Sequence, residues 1–254
     1  MTTSLPTLLQ TRLQRLADEL SARADALGLL ALGSVGLETA RADAWSDLDF
    51  FVIVRPGAKP RYLADLDWLA AAHPLDWAFA NTADGCKALM ADGLLCEFAV
   101  FEPPEMHAVS YAPGRWVWRR EGDLAESLAR PQRSIPEPAS LDWLVGEALS
   151  NLLVGLHRHR RGEHLAAMRM VQVHALDRLM ELIDQLQPPA RGVARDPFSA
   201  DRRFEFRHPA ELAMLRLCAG GIEATPQAAL AMLARLEQLV PLPPAVVARI
   251  RALA

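Results

Sequence analysis

Two aspartates one residue apart, Asp47 and Asp49, run directly into the apolar stretch Phe50-Phe51-Val52-Ile53-Val54. That run predicts a strand, and side chains at i and i+2 of a strand share a face. Two carboxylates on one face repel each other unless a cation lies between them. Mg²⁺ takes one or two carboxylates together with substrate phosphates. Upstream, Gly33-Ser34 ends the apolar run Leu29-Leu30-Ala31-Leu32. Glycine has no Cβ, so a phosphate or a backbone can come close. The N–H groups at the start of a following helix are free to bind an anion. Residues 31 to 54 thus offer a phosphate cradle and a metal holder, the two parts of a nucleotide site. The plain alternative is a helix N-cap followed by an acidic strand start.

A third carboxylate is needed if an acceptor hydroxyl is to lose a proton or if a second metal is to be held. Glu97 stands inside the otherwise apolar run Leu94 to Phe101. A carboxylate there must meet a cation, a donor or water. If its strand lies beside that of Asp47 and Asp49, the three form an acidic triad. Asp76 is the rival, at the start of a short strand after Pro74, and water alone could satisfy it.

The elements expected around these residues are a helix over 5–27, a strand over 28–34, a short helix over 35–42 and a strand over 47–54. Pro56-Gly57 is a turn. A helix over 60–72 is stopped by His73-Pro74. A strand follows over 76–80, then a turn and a helix within 82–92, closed by Asp92-Gly93, and a strand over 94–101 ended by Pro103-Pro104. Residues 111 to 122 predict a short aromatic strand with Trp116 and Trp118 on one face, open to a stacked base or sugar or to ordinary core packing or edge cover. Residues 129 to 140, with Pro131, Pro136 and Pro138, lack periodicity and form the expected linker. Beyond it, helices are expected over 140–161 (Ser140 as N-cap, Gly162 as C-cap), 163–186, 208–219, 225–239 and 243–253. The fold class expected is α+β: a mixed-sheet domain over 1–130 followed by an all-helical bundle over 140–254.

The chain has 254 residues and a net charge of −4, so no global field recruits nucleic acid. The three cysteines, Cys86, Cys96 and Cys218, are scattered, which predicts reduced core residues and a cytoplasmic protein. No stretch reaches the length of a membrane span. The first helix is amphipathic rather than signal-like. There is no Walker loop, no Gly-x-Gly-x-x-Gly and no His-Glu-x-x-His. His157 and His159 stand beside arginines that would repel a metal.

Gly33-Ser34 followed by Asp47-Leu48-Asp49 resembles the signature of the polymerase-β-like nucleotidyltransferases. Two further segments make the likeness closest to the lincosamide and aminoglycoside nucleotidyltransferases: Asn151 to Glu163, continuing through Arg169 to Asp177-Arg178, and Asp201 to Pro209. The resemblance implies a palm-like nucleotidyltransferase domain ahead of the helical one. It implies Asp47, Asp49 and Glu97 as catalytic and metal-holding residues, with Gly33, Ser34 and Ser46 on the phosphates. Arg202 and Arg203 are expected there too, because the guanidinium fork suits phosphate oxygens. The same arginines could equally pair with acids of a neighbouring helix. The expected reaction moves a nucleoside monophosphate, AMP foremost, from Mg-ATP to a hydroxyl of a small molecule such as an aminoglycoside or lincosamide. The resemblance also implies a homodimer. The alternatives are a non-catalytic nucleotide binder or antitoxin-like regulator, the same chemistry on protein or RNA, and a dimerisation module.

Overall fold

The computed structural model describes residues 6–131, 137–196 and 198–254. Leu5 of the expected first helix, Pro136 of the expected linker and Pro197 ahead of the arginine run lie outside them. The chain divides into two compact units, Met1–Ile135 and Pro136–Ala254. The class is α+β, a mixed sheet with helices followed by a helical unit.

In the first unit, helix α1 (Thr7–Ala22) buries Leu9, Leu13, Leu16 and Leu20, a stripe at helical spacing. The strands are β1 (Ala26–Ala31), β2 (Leu48–Val54), β3 (Leu75–Ala80), β4 (Gly85–Met90), β5 (Leu95–Phe101) and β6 (Arg115–Arg119). Among the described residues they form one sheet in the order β3-β4-β5-β2-β1-β6. Only β2 and β5 run parallel; the other pairs are antiparallel. The helix expected over 60–72 is two short pieces, α2 (Lys59–Ala64) and α3 (Asp67–Ala72).

The sheet's two faces are covered unequally. Leu48, Phe50, Val52 and Val54 of β2 join Cys96, Phe98 and Val100 of β5 in a core closed by α1, Tyr62, Trp68 and Leu69. The opposite face carries a smaller cluster around Leu30, Ile53, Phe101, Met106, Tyr111, Leu124 and Leu128. That cluster does not reach the ends of β2 and β5 where Asp49 and Glu97 stand, so those side chains are only partly buried.

Three expectations are corrected here. Residues 85–90 are strand β4, not a helix, because Asp92-Gly93 is a hairpin turn joining β4 to β5, with Gly93 at φ +88°. The short helix over 35–42 is two 3-10 turns, Gly33–Val35 and Thr39–Arg41. Trp116 and Trp118 lie on opposite faces. A bulge between Leu29 and Leu30 pairs Trp118 with Leu29 and Trp116 with Leu30. Trp118 then packs on the helix-covered core and Trp116 on the smaller cluster. A bulge inserts one residue and re-aims those after it.

The second unit is helical: α4 (Leu141–Arg160), α5 (His164–Arg169), α6 (Leu176–Leu186), α7 (Phe204–Arg207), α8 (Leu212–Cys218), α9 (Thr225–Leu239) and α10 (Pro244–Leu253). Ser140 caps α4 by accepting from the Trp143 N–H at 3.3 Å. The helix expected over 163–186 is continuous but contains a π turn, Met170–Ala175, between α5 and α6. Gly155 lets α4 approach that turn: a Cβ there would lie 2.6 Å from Val171 Cγ2. Cys86, Cys96 and Cys218 are buried free thiols, and burial pushes Cys96 and Cys218 up to about 12. Among the described residues no helix is long and apolar enough to cross a membrane.

One buried cation fixes the β4–β5 hairpin. Arg12 of α1, 4% exposed, donates to Ala72 O at 3.1 Å and to Asp92 Oδ2 at 2.5 Å. Burial works against the Asp92 carboxylate, but the Leu94 N–H and the Arg12 guanidinium outweigh it and hold its pKa below the ordinary 3.8. Arg12→Ala should therefore destabilise the fold by about 1.5–3 kcal/mol, the range for hydrogen bonds to a charged group, read by urea unfolding at pH 7. A carboxylate with a lowered folded pKa stabilises above its unfolded value and loses that contribution as pH falls through the folded one. The gap between wild type and variant should thus be full above 3.8 and shrink at lower pH. An unchanged midpoint at pH 7 would remove Arg12 as the hairpin's anchor.

Candidate active site

Strand β2 and strand β5 meet in register with Asp49 opposite Glu97. Directly paired residues share a face, so both carboxylates emerge on the partly open side of the sheet. Asp47 stands one residue before β2. Asp76 lies on β3, at the sheet's edge and three strands from β2. The topology therefore brings Glu97, and not Asp76, beside Asp49.

Gly33 is at φ +53°, the left-handed region, and a Cβ on it would lie 2.7 Å from Asp49 Oδ2. The Leu32 N–H donates to Asp49 O at 2.8 Å. The Gly33–Val35 turn is thus pressed against the Asp49 carboxylate, which a side chain at Gly33 would have to displace. Ser34 is buried in the same turn. Arg115 of β6 holds the turn from the far side, donating to Val35 O at 3.0 Å and Gly36 O at 3.3 Å. Burial lowers the pKa of that guanidinium. Ser46 is engaged locally: its hydroxyl accepts from Asp43 N at 3.0 Å and lies 3.2 Å from Asp43 Oδ1. That places it in the turn that delivers Asp47.

Glu97 has partners that sequence reasoning missed. Lys87 of β4, paired directly with Glu97 across the sheet, brings Nζ to 3.0 Å from Glu97 Oε2. The Asn81 amide donates to Oε1 at 3.2 Å. The Glu97 side chain keeps 43% of its surface exposed, so it meets a cation, a donor and water together. Glu97 raises the Lys87 pKa through its hydrogen bond and its charge, and Asp47 and Asp49 add to the effect. Lys87 was hidden because residues 82–92 predict a helix. The alternation from Gly85 to Met90 ahead of Asp92-Gly93 is the signal for a hairpin strand.

Among the described residues no group of three or more His, Cys, Asp or Glu side chains is arranged to hold a metal ion. Glu97, the third acid of the expected triad, is paired with the Lys87 ammonium. A smaller donor set is of the kind Mg²⁺ takes: two carboxylates, Asp47 and Asp49, beside the Gly33–Val35 turn.

The arginine run in the second unit is turned largely to structural use. Arg207, fully buried, grips Asp184 of α6 with Nε and Nη2, both at 3.0 Å, and His208 Nε2 lies 2.8 Å from the same carboxylate. Arg202 pairs with Asp196 at 3.1 Å, and Arg203, at φ +59°, donates to Ala194 O at 3.3 Å. Arg207 thus follows the pairing with an acid of a neighbouring helix, while Arg202 pairs with a loop aspartate and Arg203 donates to a backbone carbonyl.

No protein-family model and no curated protein matches the sequence. Among solved structures the chain is similar to an aminoglycoside 6-adenyltransferase from Bacillus subtilis, with TM-score 0.37, 10% identity and coverage of 96% of this chain and 90% of that one. It is similar to a nucleotidyltransferase-like protein from Exiguobacterium sibiricum, with TM-score 0.35, 14% identity and coverage of 91% and 75%. A third is the Thermotoga maritima CCA-adding enzyme complexed with tRNA, with TM-score 0.38, 12% identity and coverage of 98% and 70%. At these scores none of the three likenesses bears on what the site binds.

The contact between Gly33 and Asp49 generates a test. Gly33→Ala adds a Cβ against a carboxylate at a left-handed position, a strain of about 1–3 kcal/mol. Thermal unfolding should show that loss. Alanine at Gly57, at φ +85° with nothing within 4 Å of its Cβ, isolates the backbone part. Equal losses at the two positions would mean that the Asp49 contact is unimportant.

Proposed function

We propose that the chain is a metal-dependent nucleotidyltransferase that moves a nucleoside monophosphate, AMP foremost, from ATP to a hydroxyl of a small molecule. The observation that carries this is the register of β2 and β5, which sets Asp49 opposite Glu97 with the Gly33–Ser34 turn packed on Asp49. In this reading Asp47 and Asp49 would hold Mg²⁺, which would supply positive charge to offset that of the phosphates and of the attacked phosphoryl group. Gly33 and Ser34 receive the outer phosphates through backbone N–H groups and a hydroxyl. Ser46 holds the turn that aims Asp47. Arg202 and Arg203 remain candidates for the triphosphate only if they leave their present partners.

Glu97 is proposed as the general base. The acceptor oxygen attacks the α-phosphorus, its proton passes to the Glu97 carboxylate, the bond to the bridging oxygen breaks, and pyrophosphate leaves. Lys87 and Asn81 aim the carboxylate by fixing one oxygen each. A small acceptor agrees with the net charge of −4, which gives a nucleic acid no general attraction. Aminoglycosides and lincosamides are the first acceptors to assay. The cytoplasm suits a chain with buried free thiols, and a homodimer is the assembly to look for.

A second reading draws on Lys87. An ammonium where a second divalent cation would stand suits a protein that binds nucleotide without turning it over, as a sensor or antitoxin-like partner would.

Two measurements decide. Calorimetry with ATP should show binding with Mg²⁺ and little in EDTA; equal affinity in both would sink the site assignment. In a radiolabelled-ATP assay across aminoglycosides, lincosamides and a metabolite pool, product and pyrophosphate should appear. Glu97→Gln should then slow turnover by about 10²–10⁴-fold, the usual cost of a lost general base, with ATP affinity nearly kept. Asp76→Asn should cost far less. Mg-dependent ATP binding without turnover of any acceptor would favour the non-catalytic reading, and labelled RNA or protein would change the acceptor class.

A further inference from the structure

Cations taken out of water need an answering charge or dipole. Arg12 and Arg207 each face a carboxylate, Asp92 and Asp184. Arg120 donates to the Ser21 and Arg23 carbonyls at the end of α1, where the dipole of a 16-residue helix favours a cation. Arg115 has neither. Its guanidinium reaches the Val35 and Gly36 carbonyls, the end of a three-residue turn. It makes no ion pair among the described residues, and burial lowers its pKa with no acid to offset the effect. The fold nevertheless builds this position closely. Arg115 pairs with Ala31, the last residue of β1. A Cβ on Gly36 would lie 2.8 Å from Ala31 O, and one on Gly114 would lie 2.7 Å from it. These two glycines let the turn and the start of β6 close on the end of β1. Within the turn Ser34 is 5% exposed, and its hydroxyl has no hydrogen-bond partner among the described residues. A buried hydroxyl ordinarily has one. A cation without an acid and a buried hydroxyl without a partner, on one turn, are both answered by an anion.

We propose that Arg115 is the positioning residue for the donor's outer phosphates: its hydrogen bonds fix the Gly33–Val35 turn, and its charge is answered by the phosphates that the turn receives. The proposal rests on the nucleotidyltransferase reading, which places those phosphates at Gly33 and Ser34, and adds the group that makes the turn attract them. The order of charges across the sheet carries it. Arg115 stands on β6, the turn follows β1, Asp49 is on β2, Glu97 on β5 and Lys87 on β4. The carboxylates thus lie on one side of the turn, and Lys87 beyond them is already paired with Glu97. A triphosphate meets repulsion from that side. Arg115 puts positive charge on the other side, and no acid neutralises it. A partly buried charge is also screened by salt less than an exposed one. Arg115 holds the turn from behind, apart from Asp47, Asp49 and Glu97. Its effect therefore falls on donor affinity rather than on the chemical step. The ribose and base play no part in it.

The test separates charge from hydrogen bonding. Arg115→Gln keeps an amide donor for the carbonyls and removes the charge; Arg115→Lys keeps the charge. The full-length chain and both variants are titrated by calorimetry with ATP and with inorganic tripolyphosphate, each with Mg²⁺. Wild type should bind both. Arg115→Gln should weaken both by about 10-fold, the scale of one unit charge near a protein surface. Arg115→Lys should keep most of the affinity for each. Melting curves show which variants fold. If Arg115→Gln does not, Arg115→Lys decides alone: affinity near wild type supports the role of the charge, and a 10-fold loss overturns it. The proposal is also overturned if Arg115→Gln binds ATP as well as wild type does. Equal losses in the two variants would overturn it too, since the guanidinium would then be a clamp whose charge does not matter. So would a wild type that binds ATP and ignores tripolyphosphate, because recognition would then lie in the nucleoside. Failure of wild type to bind ATP with Mg²⁺ would instead strike the nucleotidyltransferase reading itself.

Discussion

Two carboxylates, Asp49 and Glu97, face each other across the parallel pair of β2 and β5, and like charges at one strand spacing repel. The rest of the first unit accommodates that repulsion. Lys87 and Asn81 occupy the two oxygens of Glu97. The sheet face around them stays open, so water screens what remains. The other face of the same strands is fully apolar and closed by helices, which anchors the backbone that carries the charges. Arg12 ties the hairpin bearing Lys87 and Glu97 to α1 and to the end of α3. The carboxylates are thus held by a framework whose own energy comes from the opposite side of the sheet.

Much of this was legible because alternation is a local property. The sequence Leu48-Asp49-Phe50-Phe51-Val52 has a single charge at one register position, as does Leu95-Cys96-Glu97-Phe98. Each charge had to be either a defect or a site, and Glu97 could be set above Asp76 on the same ground. The neighbours of those charges were less accessible. Lys87 lies in Cys86-Lys87-Ala88-Leu89-Met90, whose alternation is clear, but Asp92-Gly93 suits the end of a helix as well as the turn between two strands that it forms. With β4 read as a helix, no cation could be seen beside Glu97.

Other misses have a different origin. Trp116 and Trp118 share a face in any regular strand. The bulge that separates them exists only in relation to β1, so no property of residues 111 to 122 could reveal it. The arginine run likewise depends on a partner distant in sequence. Arg207 is committed to Asp184, a residue of another helix, and composition cannot tell a guanidinium waiting for phosphate from one already satisfied. Gly33 shows the same limit in milder form. Its lack of a Cβ was correctly read as a close approach, but the first group to approach is the Asp49 carboxylate.

Lys87 sharpens what the proposed site can do. A carboxylate already paired with an ammonium gains less from a second divalent cation, because the charge that would attract the metal is partly offset. The three acids are therefore not equivalent. In the proposed reading two of them share a cation with phosphates, and the third stands half exposed on the face that runs to β4 and β3. A general base needs that arrangement more than a metal ligand does: an oriented oxygen, access for the group that gives up its proton, and a route for the proton to water afterwards. The same lysine would serve a purely binding protein by neutralising Glu97. The two readings differ in whether the exposed side of that carboxylate meets a hydroxyl, and that is decided on the open surface beyond Lys87 rather than among the acids themselves.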